Sequence, residues 1–306
     1  MNITPDNQIK LHGLSHFLND LIRLHNNQKL PNKILLSGQK GIGKCTLAYH
    51  LINYILSQGE QFSYNLEKNE INLENSSFKL IQNKANINFN LVDIDADKKS
   101  IDITQIRNLI LNLKNFSFND KPRFILIDNI EYLSKNSVNA LLKIIEEPTN
   151  NAYFILINNN KKVLSTLKSR CLNFKIYLSN NESKLVIDKL LNDNISNLIN
   201  DELIDYYITP GKIINLIKFA EENLIDLKNK RLMDFLTLLI DKSYYKKESS
   251  IKYFLNDFFE LFLRNKISSR YQNFRSYFVK QIDNIKRFNL DDETLFIEFK
   301  DKMLNG

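Results

Sequence analysis

The chain has 306 residues, 43% of them hydrophobic and 25% charged, and carries a formal net charge of +7. That length predicts two or three domains with a substantial core, and no run approaches the roughly 18–20 apolar residues of a membrane span. Two cysteines without a CxxC partner and four histidines offer no pattern for zinc, so a zinc-free protein of a reducing compartment, the cytoplasm, is expected.

The opening "MNITPDNQIK" lacks the basic start and apolar run of a secretory signal. Asn, Lys and Ile are abundant at the expense of Gly, Ala and Arg, the usage of an AT-rich genome. Basicity therefore permits contact with nucleic acid without arguing for it.

In chain order, "KILLSG" (33–38) reads as a buried strand and "CTLAYHLINYILS" (45–57) as the helix that follows. Residues 58–89 turn polar, an irregular insertion with a short helix near 75–83. "NLVDIDA" (90–96) is a second strand and "ITQIRNLILNLKN" (103–115) a helix. "RFILIDNI" (123–130) is a third strand, and "SKNSVNALLKIIEEP" (134–148) a helix stopped by Pro148. "AYFILINN" (152–159) and "NFKIYL" (173–178) complete five strands. Near-continuous apolar strands separated by helices predict a parallel sheet covered on both faces, an α/β nucleotide-binding architecture. Beyond about 180 the pattern is helical: short helices near "ESKLVIDKLLND", "DELIDYYI" and "GKIINLIKFAEENL", then longer ones such as "KRLMDFLTLLIDKS" and "IKYFLNDFFELFLRNKISS". Three domains are expected, at 1–179, 180–224 and 225–306.

"SGQKGIGKCT" (37–46) sits between the first strand and its helix. Gly38, Gly41 and Gly43 let the backbone bend so that its N–H groups converge on phosphate oxygens. Lys44 adds a charge at a helix start that favours anions. A glycine-rich turn without a ligand is the plain alternative. Cys45 stands where a hydroxyl would hold magnesium, a hard cation that prefers oxygen. Thr46 carries a hydroxyl, but one residue along a helix turns the side chain by about 100°, away from such a metal. In "FILIDNIEYL" (124–133) Asp128 ends an apolar strand, where it could hold magnesium through water or simply cap the strand. Asn129 follows where an ATPase would carry a basic glutamate, and Glu131 lies two residues further on. Binding of ATP or ADP by Gly38, Gly41, Gly43, Lys44, Cys45, Thr46 and Asp128 is expected, with magnesium weakly held at most and inefficient hydrolysis.

"NALLKIIEEP" (139–148), a strand, and then "LKSRC" (167–171) follow one another in the order and spacing of a known family. With "HGLSHFLNDLIRLHNNQKLPNKILLSGQKGIGKCTLAYHL" and "DIDADKKSIDITQIRNLI", they make the chain resemble the bacterial clamp-loader subunits of DNA polymerase III, within the AAA+ family. The resemblance covers roughly residues 9–180 and extends to the C-terminal part only by architecture. It implies a five-stranded parallel P-loop (AAA+) domain, a small helical lid and an all-helical collar. Motor subunits (gamma or tau) carry an intact phosphate loop, an Asp-Glu strand end and usually zinc cysteines. This chain has none of the three complete and is closer to the delta-prime, stator-type branch.

The resemblance also implies that Arg170 acts in trans on a neighbour's ATP. The implied partners are gamma/tau and delta subunits in a pentameric ring, with the sliding clamp and primed DNA reached through the complex. A motor-type ATPase that tolerates Cys45 and Asn129 is the alternative. Cys171 is expected to be a small packed residue, and Glu146 and Glu147 structural or interfacial charges. Lys212, in "ITPGKIINL" (208–216), falls near the family's second nucleotide sensor. The basic residues of the last helices, among them Lys246, Arg264 and Lys266, read as a solvated face. The aromatic run "YFLNDFFELFL" (253–263) suggests a subunit interface.

Overall fold

The computed structural model describes residues 3–95, 98, 100–114, 119–146, 151–161, 163–204, 208–247, 249–265, 269–288 and 293–304. Glu147, Pro148 and Lys266 lie outside the described residues.

Helix α1 (Ser15–Asn26) precedes β1 (Lys33–Ser37), α2 (Lys44–Leu56) and α3 (Ser76–Gln82). Then come β2 (Phe89–Val92), α4 (Ile103–Lys114), β3 (Arg123–Ile127), α5 (Lys135–Glu146), β4 (Ala152–Asn158), the short α6 (Ser165–Lys168) and β5 (Leu172–Lys175). The five strands form one wholly parallel sheet in the order β2-β3-β4-β1-β5. The α/β P-loop architecture expected from the sequence is present.

Alternation along the inner strands splits the core into two layers. Ile34, Leu36, Phe124, Leu126, Ile155 and Ile157 face α1 and α2. Leu35, Ile125, Ile127, Phe154 and Leu156 face the layer built by Ile106 and Leu109 of α4 and Leu141 and Ile145 of α5. Because both faces are covered, these strands are apolar at nearly every position.

The polar insertion is irregular around α3, whose start is capped by Asn75 accepting the Phe78 amide at 2.7 Å. Buried His50 ties it to α2 and to the N-terminal segment, meeting the Tyr64 hydroxyl at 2.8 Å and the Gln8 carbonyl at 3.1 Å. Burial lowers its pKa to about 4, so the ring is neutral at physiological pH.

The remaining helices are α7 (Asn180–Leu191), α8 (Ile195–Leu198), α9 (Pro210–Glu222), α10 (Leu232–Asp241), α11 (Tyr244–Lys247), α12 (Ser249–Asn265), α13 (Ser269–Phe288) and α14 (Glu293–Phe299). The chain forms two compact units, one of residues 1–192 and 208–218, the other of 193–207 and 219–306.

In the second unit the aromatic run has a different use from the interface suggested by its sequence. Phe254, Leu255, Phe258, Phe259, Leu261, Phe262 and Leu263 are all buried within the chain. Phe259 stacks on Phe299 with centroids 3.9 Å apart, and Phe258 meets Phe235 edge-on. The run looked too aromatic for a small domain because its covers, Phe235 and Phe299, lie far away in sequence. Lys246 and Arg264 pair with Glu293 and Glu260 on this unit's surface. Among the described residues, no helix is long and apolar enough to cross a membrane.

Candidate functional site

The carboxyl ends of β1, β3 and β4 open at one edge of the sheet, where parallel α/β folds place their ligands. From β1 the chain enters the glycine loop. A Cβ on Gly38 would lie 2.2 Å from the Ile176 carbonyl oxygen, so the loop leaves the sheet only with hydrogen there. Gly41 has a left-handed φ of 88°, a conformation that side-chain-bearing residues rarely adopt. Gly43 caps α2 and supplies no side chain to the amides of its first turn, which leaves them turned toward the loop as an anion cradle.

Lys44 is 3% exposed, and its ammonium is fully engaged. Nζ donates to the Gly38 carbonyl at 3.0 Å, the Gln39 carbonyl at 2.6 Å and Asn159 Oδ1 at 2.9 Å. Burial pulls its pKa down to about 8, against the opposing pull of Asp128 and Glu131.

Asn159, one residue past β4, is the hub that sequence reasoning missed. Its Nδ2 donates to Asn129 Oδ1 at 2.9 Å and Glu131 Oε1 at 3.1 Å, and its amide reaches Glu131 Oε2 at 3.3 Å. Asn129 Nδ2 in turn donates to Asp93 Oδ1 at 2.7 Å. The signal was an Asn run closing an apolar strand. It becomes a site feature only once β4 is known to lie between β3 and β1. Glu131, two residues beyond the usual base position, is thereby brought to the same site.

Asn129 adopts φ 54° and ψ 43°. That left-handed conformation costs most L-residues about 1–2 kcal/mol, and Asn is among the few that visit it readily. The residue that replaces a basic glutamate thus also fits the local backbone.

Asp128 accepts the Asn129 amide at 2.7 Å. Burial and the neighbouring Asp93 carboxylate raise its pKa to about 6. Burial, followed by the nearby Asp128 carboxylate, holds the Cys45 thiol well above the ordinary thiol range. A buried, protonated thiol is a poor magnesium ligand. Among the described residues, no three His, Cys, Asp or Glu side chains cluster as a metal site. Thr46, in the first turn of α2, makes no side-chain hydrogen bond among the described residues. The donor set fits phosphate and does not fit a tightly held magnesium ion.

The segment around Lys212 lies directly against the loop. Gly211 N donates to the Gly41 carbonyl at 2.8 Å, and the buried Thr209 hydroxyl donates to the Lys40 carbonyl at 3.0 Å. A Cβ on Gly211 would sit 2.8 Å from Gly41 Cα, so each glycine makes room for the other.

Arg170 is not brought to this site. β5 runs parallel to β1 with Leu172 opposite Ile34 and Lys175 opposite Ser37. Arg170 therefore lies at the amino end of the strands, whereas the loop leaves from the carboxyl end. Its Nε donates to Glu146 Oε1 at 2.6 Å, Nη2 lies 2.5 Å from the same oxygen, and Nη1 donates to the Thr166 carbonyl at 2.7 Å. Cys171 packs against the α4–α5 core layer, and burial pushes its thiol up to about 11, leaving it protonated and unreactive.

Residues 13–180 match the family model described as DNA polymerase III, delta subunit. The chain is 29% identical over 233 residues to the DNA polymerase III subunit delta' of Buchnera aphidicola subsp. Baizongia pistaciae, covering 74% of this chain and 66% of that one. It is 28% identical to the subunit gamma/tau of Mycoplasma genitalium over 76% of this chain and 34% of that one. The chain thus spans just under two thirds of the first relative and about a third of the second. A gamma subunit-related protein of Thermotoga maritima shares its fold with a TM-score of 0.50 at 17% identity, over 91% of this chain and 96% of the other.

Proposed function

Since the chain belongs to the DNA polymerase III clamp-loader family and is most like the delta-prime subunits, we propose that it serves as the stator of that assembly. In this role it supplies Arg170 to the ATP of a neighbouring motor subunit. It does not turn over nucleotide itself. Its partners are gamma/tau and delta subunits in a pentameric ring that loads the sliding clamp onto primed DNA. Residues 180–224 serve as the lid and 225–306 as the collar.

The observation that carries this reading is the placement of Arg170. The guanidinium sits at the opposite end of the strands from the chain's own phosphate loop, part-exposed, with N–H groups left over. It cannot serve the local loop, and it is presented outward. On a neighbour's triphosphate it would stabilise charge spread over the transferring phosphoryl oxygens, an effect worth about 10³–10⁵ in rate in other phosphoryl-transfer systems.

The local site supports the same division of labour. Loop amides at the helix start suit the phosphates of ATP or ADP, and Lys44 beside them would meet a phosphate by exchanging one of its three internal acceptors. Three features weaken hydrolysis here: the Cys45 thiol in place of a hydroxyl, Asn129 in place of a base, and Glu131 held by Asn159. The test is reconstitution with gamma/tau and delta subunits. Arg170→Ala should abolish turnover at the facing ATP site while the complex still assembles. Wild-type turnover in the variant complex would overturn the reading. So would ATP hydrolysis by the isolated chain that is lost on Lys44→Ala.

A further inference from the structure

The Arg170 guanidinium is already held from behind, and the residue holding it is Glu146, the last residue of α5. Carboxylates are disfavoured at a helix C-terminus, where the backbone dipole is negative and a cation is preferred. Glu146 is nevertheless the residue found there, 24 positions before Arg170 in sequence. The arginine neutralises it. Nε and Nη2 both approach Oε1, at 2.6 and 2.5 Å, and Nη1 is tied to the Thr166 carbonyl one turn back. Three contacts from three nitrogens fix the plane of the guanidinium as well as its position.

The donor count then matters. An arginine has five N–H groups, and these contacts engage at most one on each nitrogen. One N–H remains on Nη1 and one on Nη2, the pair that forms a planar fork suited to two oxygens of one phosphate. The side chains of Arg170 and Glu146 are 36% and 52% exposed, so the fork is reachable from solvent. As a stability device such an exposed pair is weak, which leaves its geometry as its main consequence.

We propose that Glu146 is the positioning residue for Arg170: it holds the guanidinium from the Nε side so that the Nη1/Nη2 edge meets a neighbouring subunit's triphosphate already oriented. This rests on the reading of Arg170 as a residue acting in trans. Glu146 touches no nucleotide itself and acts only through the arginine. An arginine freed of its carboxylate would still reach the phosphate, but it would lose orientation at the moment the charge develops. Misplacement of about 1 Å can cost on the order of a hundredfold in rate.

The test is a double-mutant cycle in the reconstituted complex, measuring kcat and KM for ATP at the facing site, with assembly followed by gel filtration. Glu146→Ala should lower kcat about tenfold with KM for ATP nearly unchanged. Glu146→Gln keeps an acceptor oxygen without the charge and should recover part of the loss. In the Arg170→Ala background, Glu146→Ala should have no further effect. Additive losses, an unchanged kcat in the Glu146→Ala complex, or a raised one would each overturn the positioning role. Failure of Arg170→Ala to reduce turnover would instead overturn the trans-acting arginine, so the two ideas fail on different variants.

Discussion

Asp128→Asn should stabilise the first unit at neutral pH, and the gain should grow with pH. In the folded chain burial and Asp93 raise the Asp128 carboxyl to about 6, from an ordinary value of 3.8. A raised acid favours the protonated form in the native state, so its contribution is fully present below about pH 3.8 and is lost as pH rises through 6. A shift of about two units corresponds to roughly 3 kcal/mol, of which about half is lost between pH 5 and 8. Asn has nearly the same shape, and its side-chain oxygen can still accept the Asn129 amide. The variant escapes the loss. Urea unfolding of wild type and variant at pH 5, 6.5 and 8 measures the difference. The variant's advantage should be about 1.5 kcal/mol greater at pH 8 than at pH 5. An advantage that does not change with pH, or a variant less stable at pH 8, would refute the argument that this carboxylate is held ionised against its surroundings.

Two further outcomes follow from packing. Gly211→Ala should destabilise the first unit by about 1–3 kcal/mol even though alanine is the better helix former by about 1 kcal/mol, because the new Cβ meets Gly41 backbone at 2.8 Å. A thermal melt at or above the wild-type value would show that the loop yields freely. Phe259→Ala should cost the second unit about 3–5 kcal/mol, since the ring is fully buried against Phe296 and Phe299. A loss below about 1 kcal/mol in urea unfolding would restore the interface reading of the aromatic run.

Local pattern was enough for the sheet and the loop. The five strands, α2, α4 and α5 lie within a few residues of where apolar runs and the glycine spacing put them, because in a doubly covered parallel sheet burial is written into nearly every strand residue. What the pattern could not supply is strand order. Asn159 and Glu131 become site residues only because β4 lies between β3 and β1, a non-sequential neighbourhood without a local signature. The same holds for the Gly41–Gly211 contact, where one glycine reads as part of a loop and the other as the start of a helix. Burial of the α12 aromatics depended on Phe235, Phe296 and Phe299, which flank the run at distances no window spans. Arg170 was singled out by its motif, but its attachment to Glu146 crosses an intervening strand.

The closed network around Lys44 bears on how the site keeps its shape. Its polar side chains are those of Lys44, Asn129, Glu131 and Asn159. Here each has a partner inside the chain: Lys44 uses three acceptors, Asn159 links Asn129 and Glu131, and Asn129 holds Asp93 from a backbone conformation that suits it. Polar networks in a low-dielectric setting rigidify when fully satisfied and destabilise when one member is removed. The loop carbonyls of Lys40 and Gly41 are committed as well, to Thr209 and Gly211. Asn129 therefore completes a support between Asp93 and Asn159. Such an arrangement suits the proposed stator role, in which the subunit contributes a fixed surface.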